Sequence, residues 1–422
     1  VVITREGGEG EKFEFSRSTY YGGAEKEEGD EYAHGLMLTP TERETLQYAE
    51  ENFDKVIVLI NSTNVMELGE LEDDDNVDAV LWVGAPGVSG FNSVGKVLTG
   101  EINPSGHTSD IYPANLTEDP TWFNYADQSG VIQTEDEYAG ETAGEVSKAY
   151  DSEGNTIDMS TTSTAIETVS YLEGIYMGYR WYETQAELGN YYAADSMPNN
   201  DDATYDTSDT YYNRDNGVVY PFGYGLSYTT FDWSNFTANL SEDGTQITVS
   251  VDVTNTGSVA GKDVVQIYYK DPYYDGQIEK ASANLVEFVK TDNLQPGETQ
   301  TVTTTFDVKD MASFDYNDAN GNGFSGYELD AGDYVISARS DSHTVRAESV
   351  ITLDAFMYDG SDDAHNYNAG YGENSTAIFS ATDSSSEDWM YNSAGDPEVQ
   401  TYISRAGGTL SQPKAVMNAQ YS

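Results

Sequence analysis

The residues from Asp318 to Gly323 read Asp-Ala-Asn-Gly-Asn-Gly. Side-chain oxygens at the first, third and fifth positions, with glycine at the sixth, are the first half of an EF-hand-like calcium loop. The full pattern wants Glu at the twelfth position, which is Leu329, with Glu328 and Asp330 on either side. The register therefore fails, and a polar hairpin turn is favoured over a metal site. Calcium remains an optional ligand, with Asp318, Asn320 and Asn322 as its candidates, and no cofactor is required. With no cysteine in the chain, disulfides, thiolate catalysis, iron–sulfur clusters and cysteine-ligated zinc are excluded. His34, His107, His343 and His365 lie far apart without paired spacing, so a histidine metal site is not expected. Cations are scarce, which makes Arg5 and Arg17 conspicuous on either side of the turn Gly7-Gly8-Glu9-Gly10. A Glu between glycines, taken alone, is a solvated turn residue.

The elements that must position these groups fall into four stretches. Residues 1–115 read as α/β. Val1-Val2-Ile3 reads as a buried strand before the glycine-rich turn. Thr39, Pro40 and Glu42 form a helix start, with Thr39 as N-cap and Glu42 completing a capping box, and the helix runs to Asn52. The apolar runs Val56–Ile60 and Ala79–Val83 suit strands buried on both faces of a parallel sheet, and a short helix follows from about Ser89 to Leu98. Residues 116–230 form a long acidic connection, poor in periodicity, with one short helix or turn near Tyr171 to Thr184. Residues 231–350 are all-β: Ile247, Val249, Val251 and Val253 alternate with polar residues, and short strands recur between turns. That pattern predicts an immunoglobulin-like sandwich. Residues 351–422 read as an extended tail or connector.

Charge narrows the partners. With 19 Lys plus Arg against 74 Asp plus Glu, the net charge is −55, which works against nucleic acid and anionic membranes. The longest aliphatic run, Val56–Ile60, is far below the ~20 residues of a membrane helix. The chain lacks an initiator Met and opens on an apolar strand, so it is expected to be a processed chain or a piece of one.

Four strings resemble glycoside hydrolase family 3, the β-glucosidase-like enzymes. Gly100-Glu101-Ile102-Asn103-Pro104-Ser105-Gly106 is similar to the family's G-x-x-NPSG signature. Glu173 to Thr184 (EGIYMGYRWYET) resembles a second family segment. Tyr220 to Thr229 (YPFGYGLSYT) resembles a third, with Tyr224 in place of the family's His. Val253 to Gly257 and Gly261 to Tyr268 resemble the opening of its fibronectin-III-like domain. The resemblance implies an incomplete α/β sandwich with a parallel sheet, followed by an immunoglobulin/fibronectin-III-like β-sandwich. It also implies a TIM barrel that this chain does not contain. Some bacterial members place the barrel last, and Ser404-Arg405-Ala406-Gly407-Gly408-Thr409 is similar to their connector into it.

The resemblance implies a retaining exo-glycosidase, which needs two carboxyl groups about 5–5.5 Å apart. The nucleophile would come from the barrel, on this or another chain. The general acid/base would be Glu9, in the family's GEG turn, with Glu6 and Glu11 as competitors. Arg17 lies where the family often has an Arg soon after that turn, and Arg5 and Arg17 are the candidates to contact substrate or to position the acid. The family often has Asp where Lys12 stands, which bears on the loop's geometry. Trp82, Trp122, Tyr125, Trp181 and Tyr182 could line a sugar-facing cleft, although Trp82, within a strand, reads as core. The substrate expected is a β-linked oligosaccharide or glycoside, with this chain alone inactive. The competing reading is a non-catalytic structural or assembly protein derived from the same domains. Either way an extracellular or cell-surface bacterial protein is expected, with a homo-oligomer or larger assembly left open.

Overall fold

The structure is a computed structural model that describes residues 1–5, 35–121, 149–150, 156–157, 173–190, 217–367, 389–391, 397–399, 402–408 and 410–411. Strand β1 (Val2–Thr4) pairs in parallel with β2 (Ile57–Asn61), with Ile3 opposite Ile60. Strand β2 pairs in parallel with β3 (Ala79–Trp82). Helix α1 (Pro40–Asn52) makes the first crossover, and its capping box is formed: Thr39 Oγ1 accepts the N–H of Glu42, and the Glu42 carboxylate accepts the N–H of Thr39. Helix α2 (Gly87–Leu98) follows β3. Ile3, Leu38, Leu46, Val58, Ile60, Met66 and Leu71 form the core of this layer.

Strand β3 departs from the sequence expectation of double-sided burial. It lies at the edge of the three-stranded sheet, and none of its residues is buried. Trp82, expected in the core, is 41% exposed, and its indole N–H donates to the Ser62 carbonyl at 2.8 Å. An apolar run specifies a strand; it does not specify what covers it.

A two-stranded ribbon of β4 (Tyr112–Pro113) and a later strand β5 (Val218–Tyr220) ties the layer to the rest. Helix α3 (Tyr179–Leu188) falls between them in sequence. It lies slightly later than the turn expected near Tyr171, and it ends on Gly189 with φ +69°, a left-handed cap suited to glycine.

The β-sandwich has two sheets. One runs in the order β10 (Thr299–Asp307), β7 (Gln246–Asn255), β6 (Phe231–Leu240). The other runs β9 (Asn284–Lys290), β8 (Val264–Lys270), β13 (Gly332–Arg339), β14 (Val345–Leu353). All of these pairs are antiparallel. The alternation read from Ile247, Val249, Val251 and Val253 is the inward face of β7, packed with Ile267, Tyr334 and Ile336 across the core. A small side sheet of β11 (Ser313–Asp315), β12 (Gly326–Leu329) and β15 (Phe356–Met357) flanks the sandwich.

A third core unites segments distant in sequence: Ile111, Tyr176, Trp181, Tyr182, Val218, Ala281, Ile403 and Leu410. The stretch read as a tail therefore contributes buried residues. Arg405 holds it in place, donating to the Lys280 carbonyl at 3.0 Å and pairing with Glu187 of α3 at 3.0 Å, with its guanidinium 4.2 Å from the Tyr273 ring centroid. The Arg405 N–H and the Ser404 hydroxyl both donate to Glu279.

Candidate functional site

Strand β1 ends at Thr4, and the segment with Glu9 and Arg17 begins just beyond its carboxyl end. Loops outside the carboxyl ends of parallel strands are where α/β sheets place their sites. Glu6, Glu9, Glu11 and Arg17 lie outside the described residues, as do Trp122 and Tyr125. The two ends of that segment are described, and Arg5 joins them. Its Nε donates to the Gly35 carbonyl at 2.6 Å, Nη1 to the Thr4 carbonyl at 2.8 Å, and Nη2 to the Met37 carbonyl at 2.6 Å. The two remaining donors form a bidentate pair with Glu42 at 2.7 and 2.8 Å.

A guanidinium carries five N–H donors, and here each is directed at a protein oxygen. Arg5 was a candidate to contact substrate. In this arrangement it has no donor to give a sugar hydroxyl and acts as a clasp that closes residues 6–34 at their base. Burial pushes the Glu42 pKa up, but hydrogen bonds and charge from Arg5, with the Thr39 cap, outweigh it and hold the carboxylate below its usual range. The sequence showed Glu42 as a capping residue; its second role, as the counter-ion of Arg5, had no sequence signal.

The strings that carry the family resemblance act as fasteners. Asn103 Oδ1 accepts from the Ser227 hydroxyl at 3.1 Å and the Tyr228 N–H at 2.8 Å, while its amide donates to the Ala260 carbonyl at 3.0 Å. One side chain thus joins the α/β layer, the connection and the sandwich. Thr108 accepts the Tyr224 N–H and donates to the Pro221 carbonyl. Gly223 holds φ +79°, a conformation that favours glycine, and a Cβ there would stand 2.1 Å from Gln266 Oε1 and force that amide to move. Its carbonyl accepts from Gln266 at 2.9 Å and lies 2.6 Å from His107 Nδ1. Within α3, Glu183 accepts the Ser342 hydroxyl at 2.9 Å and lies 2.9 Å from His343 Nδ1, and Thr184 accepts the Ser282 N–H. Trp181 and Tyr182, candidates for sugar stacking, are buried in the third core and unavailable to a ligand there. Residues that fasten segments and residues that do chemistry share the same strings, which is why the sequence does not separate them.

Residues 9–179 match the glycosyl hydrolase family 3 C-terminal domain. That stretch belongs to glycoside hydrolase family 3. Residues 263–342 match a fibronectin type III-like domain. A β-glucosidase from Ruminococcus albus is 29% identical over 323 residues, covering 76% of this chain and 26% of that protein. β-Glucosidase A from Butyrivibrio fibrisolvens is 30% identical, covering 67% of this chain and 28% of its own length. Among solved structures, β-glucosidase 3B from Thermotoga neapolitana in complex with glucose aligns at a TM-score of 0.56 and 27% identity, covering 84% of this chain and 37% of that one. A β-glucosidase from Paenibacillus barengoltzii aligns at 0.53 and 29% identity, covering 75% and 27%. The chain spans about a quarter of the length of these two curated relatives.

Proposed function

We propose that this chain is the acid/base-bearing part of a family 3 retaining β-glycosidase that releases sugars from non-reducing ends. The observation that carries the reading is the family match beginning at Glu9, in the segment that leaves β1 and is closed by Arg5. Glu9 protonates the departing glycosidic oxygen and then deprotonates the incoming water. A barrel domain, on the same or another chain, supplies the nucleophilic carboxylate and most of the sugar pocket, so the described chain alone hydrolyses nothing. Arg17 remains a candidate to orient the acid or a sugar hydroxyl. The acidic surface suits a protein working outside the cytoplasm, where salt screens self-repulsion.

The test is an aryl β-glycoside series assayed on the intact protein with its barrel. Replacing a proton donor hurts poor leaving groups most, because good ones depart unprotonated. Glu9→Gln is expected to lower the rate on a phenyl glycoside by about 10²–10⁴. Glycosylation by a dinitrophenyl glycoside, followed as the burst of released phenol, should change far less. An equal loss on both would make Glu9 structural. Complete inactivity of the intact, barrel-containing protein on all β-glycosides would instead favour the assembly reading.

A further inference from the structure

The Asp318–Gly323 string lies in the hairpin between β11 and β12. Asp315, the last residue of β11, accepts the backbone N–H groups of Asn317, Ala319 and Asn320 and so turns the chain. Asp318 Oδ1 accepts the N–H of Gly323 at 3.0 Å and closes the loop. Asn320 and Asn322 accept the N–H groups of Asn322 and Phe324. These bonds alone describe a polar turn.

What the turn does not explain is Glu328 of β12. It is only 2% exposed. Its Oε2 accepts from both amides, Asn320 at 3.1 Å and Asn322 at 2.5 Å, while its Oε1 is buried without a hydrogen-bond partner. A buried carboxylate oxygen left bare is costly, and it calls for a proton or a cation. Beside it opens a cavity of about 460 Å³, lined by Asn320, Asn322, Glu328, Asp330, Tyr274 and Gln277 among others. Burial raises the Glu328 pKa despite the two amides, with Asp315 and Asp330 adding to it.

We propose that this cavity binds a calcium ion, with Glu328 as its anchoring carboxylate and Asn320, Asn322 and Asp330 completing the oxygen set with water. Rotating each amide by half a turn replaces an N–H donor facing Glu328 with a carbonyl oxygen, at the expense of the bonds those oxygens accept from the Asn322 and Phe324 N–H groups. Calcium takes six to eight oxygens in flexible geometry, which suits a mixed set of carboxylates, amides and water. No three His, Cys, Asp or Glu side chains converge as a metal-holding group among the described residues; the set here relies on amides for what carboxylates do elsewhere. Asp330 also pairs with Lys280 at 2.5 Å, which lowers the site's net charge and its affinity. The proposed set differs from the Asp318, Asn320 and Asn322 set that the sequence offers. Glu328 takes the anchoring place, and Asp318 braces the loop without lining the cavity. An EF-hand count to position twelve assumes a helix after the loop, whereas a strand brings the eleventh residue inward.

The proposal is independent of Glu9 and is tested on the full 422-residue chain, stripped with EDTA and titrated with calcium chloride by calorimetry and thermal melting. The expected result is a saturable site with Kd of about 10⁻⁴–10⁻³ M, the range of extracellular calcium modules, and a melting temperature that rises with calcium. Glu328→Gln should weaken that site at least about tenfold. In EDTA the same variant should melt no lower than wild type, which a merely structural role would not allow. Asn322→Ala gives a second reading should Glu328→Gln fail to fold, and should also weaken binding. Asp243→Asn, an exposed carboxylate in the β6–β7 turn, should leave the isotherm unchanged. Absence of saturable heat up to about ten times that range would overturn the site. So would an isotherm unaffected by both Glu328→Gln and Asn322→Ala, since binding would then be spread over the acidic surface.

Discussion

The α/β layer and the β-sandwich are both built from short apolar strands, yet they bury them to different degrees. In the sandwich, the inward residues of β7 are 0–2% exposed, and six of the seven residues of β8 are buried. In the α/β layer, β3 has no buried residue, and Trp82 on β3 and Phe91 and Leu98 on α2 are each 41% exposed. The antiparallel sheets cover each other. A parallel sheet needs cover on both faces, and the β3–α2 side finds none among the described residues. The sandwich thus contains its own stabilising core, whereas the α/β layer has apolar surface suited to a further neighbour, as the proposed multi-domain enzyme would supply.

The largest expected contrast is between core and open face. Tyr334→Ala, in the sandwich core, should cost about 4 kcal/mol by urea unfolding, while Phe91→Ala should stay within about 0.5 kcal/mol. Comparable losses would end the comparison. Next comes the clasp. Arg5→Ala leaves Glu42 without its counter-ion and should cost about 3 kcal/mol, with faster proteolysis between residues 5 and 35 as a local readout. Glu42 has a depressed folded-state pKa. Its contribution is therefore present above the unfolded value and lost as pH falls through the folded one, so the gap between wild type and Arg5→Ala should narrow in acid.

Asn103→Ala removes one bond to the sandwich and two to the connection that leads into it, and should cost about 2 kcal/mol. Calorimetry should then resolve two transitions, with the α/β layer melting first; a single unshifted transition would mean the regions do not depend on this joint. Smaller per unit of pH is the effect of Asp271, which burial pushes up to about 7, with Asp330 raising and Lys280 opposing. A raised folded-state carboxyl stabilises at low pH and loses that contribution as pH climbs from about 4 to about 7, by at most about 1.4 kcal/mol per unit. Asp271→Asn should remove this slope, and an unchanged profile would refute it. The smallest change is Arg43→Ala, which breaks an exposed pair with Glu70 and should shift stability by under about 0.5 kcal/mol.

Local chemistry was the most legible part of the sequence. Thr39, Pro40 and Glu42 placed the start of α1, and the alternation in β7 predicted its inward face. The parallel β1–β2–β3 arrangement with its crossover helix also followed from composition and order. What escaped was non-local. Nothing in Ala79–Val83 records which flank of a sheet goes uncovered, so Trp82 was misplaced. Trp181 and Tyr182 looked like sugar platforms because aromatic type does not reveal burial, and Ile403 and Leu410 looked like tail because their partners lie far away in sequence. Arg5 stood out by scarcity, yet its saturation depends on carbonyls of Gly35 and Met37 that no spacing rule brings near.

The Arg405 anchor changes the mechanics of whatever chain extends beyond it. Without it, a following segment would swing from Tyr367, which stacks on Tyr327, on a longer leash. With Ile403 and Leu410 docked and Arg405 bound to Glu187 and Lys280, the pivot moves to Leu410. A shorter leash confines its far end to a smaller volume and raises the local concentration of anything it carries. The order in which the chain is strung can thus favour meeting over escape without any added contact at the meeting surface.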